Sequence, residues 1–220
     1  MREDVIKLVW KEKLIVIVRG VEEQRLIPLA EAMYEGGIRL LEITYSPDGS
    51  ISDERTAENI KLLSEHFQGK MLIGSGTTLT EKQVEYTKEA GGEFIISPDV
   101  NPDVIRKTRR LEMVSMPGAL TPSEIQTAHI CGADFVKLFP VSSLGSSYVK
   151  AVKAPLSHIK FLAVGGINEE NMAEYIRAGV CGFGIGTNIV DKKMLADDDY
   201  AGITRLARKY TEEIKKCIII

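Results

Sequence analysis

Apolar residues recur along this chain in short runs, at 14–18, 40–44, 71–76, 94–97, 113–116, 135–139, 160–164 and 182–186. Most are continuous rather than alternating, as expected of parallel strands covered on both faces. Between them lie segments of helical period. In 167–179, for example, Met172, Ala173, Ile176 and Ala178 gather toward one face, behind Asn168 as N-cap and Asn171 three residues on. Where helices hand over to strands, a glycine signature recurs: Gly36-Gly37, Gly91-Gly92, Gly132-Ala133 and Gly179-Val180. Glycine ends a helix there in the left-handed conformation. Run starts are spaced by about 20–30 residues, the length of a strand-helix unit. Eight such units with right-handed crossovers predict one closed (β/α)₈ barrel over residues 1–220, with no linker and no second domain. An open doubly wound sheet would need G-x-G-x-x-G after the first run, and Arg19-Gly20-Val21-Glu22 does not supply it. Residues 1–12 read as an extra amphipathic helix across the closed bottom of the barrel.

Composition narrows the picture. At 220 residues with 44% hydrophobic content, the chain is large enough to bury roughly 70% of its unfolded surface as one unit. A net charge of −3 offers no field for nucleic acid or an anionic membrane. The first residues lack the apolar stretch of a signal peptide, and no run approaches the roughly 20 apolar residues of a membrane span. Cys131, Cys181 and Cys217 are an odd count without C-x-x-C spacing, which points to buried thiols in a reducing, cytoplasmic compartment. His66, His129 and His158 show no metal-ligand spacing, so no metal site is expected. The closing Cys217-Ile218-Ile219-Ile220 is too short to anchor the chain and either packs or frays.

Barrel chemistry resides at the C-terminal ends of strands, which singles out Arg19, Glu42, Thr77, Lys137, Gly165-Gly166 and Gly186-Thr187. Lys137 lies in Phe135-Val136-Lys137-Leu138-Phe139, where a charged ammonium is costly to bury. Desolvation lowers a lysine pKa and makes the amine a nucleophile toward carbonyls. The bland reading is a stem that snorkels to solvent. Glu42, among Leu40, Leu41 and Ile43, is either a proton carrier or a structural ion-pair partner. Taken together, a lysine nucleophile and a carboxylate relay are the parts that Schiff-base chemistry requires. Gly165-Gly166-Ile167-Asn168 and Gly184-Ile185-Gly186-Thr187 follow the last two runs, where phosphate sites of this fold are built. Their amides can approach an anion, and a following helix dipole would favour it. Arg19 brings a permanent charge for a carboxylate or phosphate. Thr77 either binds a carboxylate or caps the helix beginning near Glu81. Thr121-Pro122-Ser123-Glu124 reads as a helix start without chemistry.

These residues carry a family resemblance. The segments 15–20 (IVIVRG), 36–44 (GGIRLLEIT), 73–79 (IGSGTTL), 94–98 (FIISP), 117–124 (PGALTPSE), 136–140 (VKLFP), 164–167 (VGGI) and 184–187 (GIGT) resemble the 2-keto-3-deoxy-6-phosphogluconate (KDPG) aldolases. That family includes 4-hydroxy-2-oxoglutarate (KHG) aldolases and 6-phosphogalactonate aldolases. The resemblance implies a class I aldolase that splits a phosphorylated 2-keto-3-deoxy sugar acid into pyruvate and glyceraldehyde 3-phosphate. It implies Lys137 as the Schiff-base lysine, Glu42 as acid/base, Thr77 on the pyruvate part and Arg19 on a substrate anion. Gly165, Gly166, Gly186 and Thr187 would hold the phosphate, with no cofactor and a homotrimeric assembly. Two positions depart from the phosphogluconate pattern: Ser46 replaces an arginine and Val164 a threonine. Both look more like the phosphogalactonate branch. Rival readings are a phosphate-binding barrel isomerase or synthase, and an idle barrel serving as an assembly subunit.

Overall fold

The computed structural model describes residues 2–219, with side chains through Cys217. Its strands are β1 (Leu14–Val18), β2 (Leu40–Thr44), β3 (Leu72–Gly76), β4 (Phe94–Ile96), β5 (Val114–Met116), β6 (Gly118–Ala119), β7 (Val136–Leu138), β8 (Phe161–Val164) and β9 (Gly182–Ile185). Every ladder is parallel, and the order runs β5-β4-β3-β2-β1-β9-β8-β7-β6. The two ends of this sheet are one stretch of chain. Only Pro117, which has no N–H to donate, separates β5 from β6. The Ser115 carbonyl accepts from Asp134 N–H at 2.9 Å and the Pro117 carbonyl from Lys137 N–H at 2.9 Å. The fifth strand therefore bonds to β4 on one edge and to the chain of β7 on the other. The barrel closes through it, and the eight expected strands become nine segments.

Helices α1 (Arg2–Glu12), α2 (Glu23–Glu35), α3 (Asp53–His66), α4 (Glu81–Glu89), α5 (Pro102–Arg110), α6 (Pro122–Ile130), α7 (Gly145–Lys153), α8 (Met172–Arg177), α9 (Lys192–Ala196) and α10 (Tyr200–Ile219) complete the described residues. Glycines 37, 91, 132 and 179 take positive φ at the helix-to-strand turns, as their sequence signature requires. Thr121 and Glu124 form a reciprocal capping box at the start of α6, with Pro122 in the first turn. Regular helix begins at Met172, later than the sequence pattern suggested. Asn168 instead closes the preceding turn by accepting the N–H groups of Glu170 and Asn171.

Alternate strand residues face opposite ways. One set, including Val16, Leu41, Val136 and Ala163, packs outward under the helices. The other, including Ile15, Leu40, Phe94, Met116, Phe135 and Leu162, fills the barrel. Val5 and Val9 of α1 join that inner cluster, so α1 stoppers the bottom. Each buried valine there contributes about 1.5–3 kcal/mol. The expectation of buried thiols holds for Cys181 alone; Cys131 and Cys217 are half-buried, and all three are free. His129 and His158 meet edge to face with ring centroids 4.9 Å apart, a convergence that their sequence spacing does not show. No helix among the described residues is long and apolar enough to cross a membrane. The question of whether the tail packs or frays falls on side chains outside the described residues.

Candidate active site

Glu42 occupies β2 two residues beyond Leu40, and Lys137 occupies β7 two residues beyond Phe135. That parity turns both side chains into the barrel. They are 2% and 7% exposed, so Lys137 does not snorkel outward. Local sequence makes the room. At Gly76, beside Glu42 on β3, a β carbon would stand 1.5 Å from Glu42 Oε1. At Gly74 it would stand 2.3 Å from the Phe94 ring. The glycines of the third run are thus space for a carboxylate and a ring.

Burial pushes the Glu42 carboxyl above the ordinary carboxylate range, opposed by the positive charges of Lys137 and Arg19. Burial also pushes the Lys137 amine down; Arg19 adds to that and Glu42 opposes it. Among the described residues no ion pair joins the two, and Glu42 Oε2 has no hydrogen-bond partner. A buried carboxylate oxygen without a donor is costly. The Phe139 ring centroid lies 4.7 Å from Lys137 Nζ and walls the amine on its outer side.

Above this pair opens a cavity of about 490 Å³, and all eight residues singled out in the sequence line it: Arg19, Glu42, Thr77, Lys137, Gly165, Gly166, Gly186 and Thr187. Arg19 Nη2 donates to Thr77 Oγ1 at 2.9 Å. Thr77 itself holds a left-handed φ of 53°, a strained backbone for a β-branched residue. The helix-capping alternative for Thr77 is displaced, because Thr80 caps α4. Gly165 and Gly166 take φ of 97° and 72°, and a β carbon at Gly166 would stand 2.5 Å from that of Ser142. α8 is only six residues long and starts at Met172, so the helix dipole expected behind Gly165-Gly166 is short and set back from the loop. Of the two departures, Val164 lies on the cavity wall and Ser46 is not among its lining residues. Ile17, Pro98, Phe139 and Asn188 also line the wall, and no sequence motif above contains them as site residues. Asn188 directly follows Gly186-Thr187 and was within reach of the strand-end rule; the other three are apolar and were not. No group of three or more His, Cys, Asp or Glu among the described residues is arranged to hold a metal.

The family model for KDPG and KHG aldolases matches residues 5–206. The chain belongs to this family. Membership makes it a carbon–carbon lyase of the aldolase kind. A probable 2-dehydro-3-deoxy-6-phosphogalactonate aldolase of Rhizobium meliloti (strain 1021) is 37% identical over 186 residues, 84% of this chain and 85% of its own length. A solved native KDPGal structure superposes with a TM-score of 0.85 at 30% identity, covering 94% of this chain and 96% of that one. A KDPG aldolase structure from Legionella pneumophila, with pyruvate captured as a covalent carbinolamine intermediate, has a TM-score of 0.82 at 29% identity. It covers 92% of this chain and 96% of that one.

Proposed function

We propose that this aldolase cleaves a 2-keto-3-deoxy-6-phospho sugar acid to pyruvate and glyceraldehyde 3-phosphate, with Lys137 as nucleophile and Glu42 as proton carrier. One observation carries the assignment of roles: a dry amine and a dry carboxylate share one barrel mouth without pairing. Neutral Lys137 Nζ attacks the C2 ketone to give a carbinolamine, which loses water to a protonated imine. Glu42 takes the proton of the C4 hydroxyl. The C3–C4 bond then breaks, its electrons passing into the imine to form an enamine while the aldehyde leaves. Protonation at C3 and hydrolysis release pyruvate and restore the lysine. The protonated imine is the electron sink, so the chemistry calls for no cofactor.

Arg19 and Thr77, already bonded to each other, suit the carboxylate end of the keto acid. Gly165, Gly166, Gly186 and Thr187 suit the phosphate. Val164 on the wall, with the phosphogalactonate name of the relative that is 37% identical, favours the galactonate-type C4 epimer. The shorter 4-hydroxy-2-oxoglutarate, which would yield glyoxylate, is a second substrate of this reading. The reading covers residues 1–220 as one domain and extends to a homotrimer, which light scattering tests. The three free thiols fit a cytoplasmic location.

The deciding experiment is borohydride reduction in the presence of pyruvate, followed by peptide mass analysis. A three-carbon adduct on Lys137 is expected, and an unmodified Lys137 overturns the assignment. Rates of pyruvate release from the two epimers and from the unphosphorylated substrate then rank the substrates.

A further inference from the structure

The phosphate reading leaves open what gives the two glycine loops their shape. In loop 165–168 a carbonyl oxygen turned toward the cradle would repel an anion, and those of Gly166 and Ile167 are both held by side chains. Each is taken up by a side-chain amide. Asn171 Nδ2 donates to the Gly166 carbonyl at 2.9 Å, while its Oδ1 accepts the Asn168 N–H at 3.0 Å. Asn188 Nδ2 reaches across from the other loop to the Ile167 carbonyl, also at 2.9 Å. In a trans peptide the C=O and the next N–H point opposite ways. Holding the Gly166 carbonyl therefore turns the Ile167 N–H the other way. No acceptor for the Gly166 or Ile167 N–H occurs among the described residues.

A brace from the last helix backs this arrangement. The Tyr210 hydroxyl, on a residue 2% exposed, donates to Glu169 Oε2 at 2.8 Å, and Lys209 pairs with the same carboxylate. Glu169 belongs to the segment after β8 and Asn188 to the segment after β9. One buried tyrosine on α10 thus anchors the segment after β8, to which Asn188 ties the segment after β9 through the Ile167 carbonyl.

We infer that Asn171 and Asn188, acting on a loop that Tyr210 anchors through Glu169, are positioning residues for the substrate's distal phosphate and set the preference for a phosphorylated over an unphosphorylated keto acid. The inference rests on the reading of these loops as the phosphate site. Its physical basis is that a donor aimed at an anion is worth roughly ten-fold or more in binding only while its direction is held.

The test uses Asn188→Leu, which keeps the shape and loses the donor, and Tyr210→Phe, which lies outside the cavity wall. Two quantities are read: the ratio of kcat/KM for the phosphorylated substrate to that for its unphosphorylated counterpart, and the calorimetric Kd for inorganic phosphate. In Asn188→Leu the ratio falls about ten-fold, through KM, and phosphate binding weakens by a similar factor. Tyr210→Phe gives a smaller loss in the same direction. A merely structural role would scale both substrates together and leave the ratio unchanged. A ratio and a phosphate Kd within two-fold of wild type overturn the inference, and if Asn188→Leu does not fold, Tyr210→Phe decides alone. Wild-type protein that binds no phosphate overturns the loop reading and this inference with it. Failure of pyruvate trapping overturns the aldolase chemistry but leaves the phosphate measurement to decide here.

Discussion

Gly76→Ala is the sharpest perturbation of the acid/base pair, because it adds one carbon and removes nothing. Position 76 does not have positive φ, so alanine meets no backbone strain there. Its β carbon would stand 1.5 Å from Glu42 Oε1, 2.2 Å from Cδ and 2.5 Å from Cγ. Real β carbons tolerate contacts no shorter than 3.0 Å, so the carboxylate must retreat by roughly half that distance. A displacement of about 1 Å at a reacting group costs on the order of 100-fold in rate. We therefore expect kcat to fall at least about 100-fold, equivalent to about 2.7 kcal/mol of barrier. The overpacked strand should lose about 1–3 kcal/mol of stability. The assay is pyruvate release followed by an NADH-linked reduction, beside urea unfolding and borohydride trapping. Trapping should persist, since the amine is untouched. A kcat within three-fold of wild type would show that the carboxylate position is not what the reaction uses.

Arg19→Met removes a cation that lowers the pKa of both Glu42 and Lys137. Both values should rise, so the acid limb of the pH–rate profile should move to higher pH; a shift to lower pH refutes the electrostatic account. Val164→Thr places a hydroxyl on the cavity wall, and one hydrogen bond is worth up to about ten-fold, so the ratio of C4 epimers cleaved should change by that order. An unchanged ratio would remove Val164 from the specificity argument. Asp134, whose side chain is 9% exposed, accepts the Ser115 N–H and pairs with Arg2 and Arg109. Asp134→Ala should cost about 1–3 kcal/mol in urea unfolding, because it leaves a buried strand amide without its acceptor and two partly exposed arginines without their partner.

The apolar runs reveal the barrel because each parallel strand is covered on both faces and so writes itself as an unbroken stretch. Lys137 and Glu42 are conspicuous for the same reason, as charges where the pattern has no place for them. Other features are invisible along the chain. The break at Pro117 depends on which edges of the fifth strand find partners across the barrel. The length of α8 depends on how Asn168 and Asn171 divide the turn between them. His129 and His158 lie in different units and meet only when α6 packs against the turn that follows α7. The roles of Gly74 and Gly76 could not be read without neighbours, since a glycine's reason is the atom beside it. Asn188 lay within reach of the strand-end rule and was missed, whereas Phe139 and Pro98 lay outside its reach, because that rule looks for polarity.

The discontinuity in the fifth strand divides the reagents as well as the sheet. Before Pro117 the polypeptide carries the carboxylate, Arg19 and Thr77; after it come the amine and both glycine loops. On the proposed roles each half-barrel holds half of a reaction, and turnover acts as a gauge of closure at the two seams, Pro117 and the β1–β9 ladder. Severed halves regain activity only by reassembling across both.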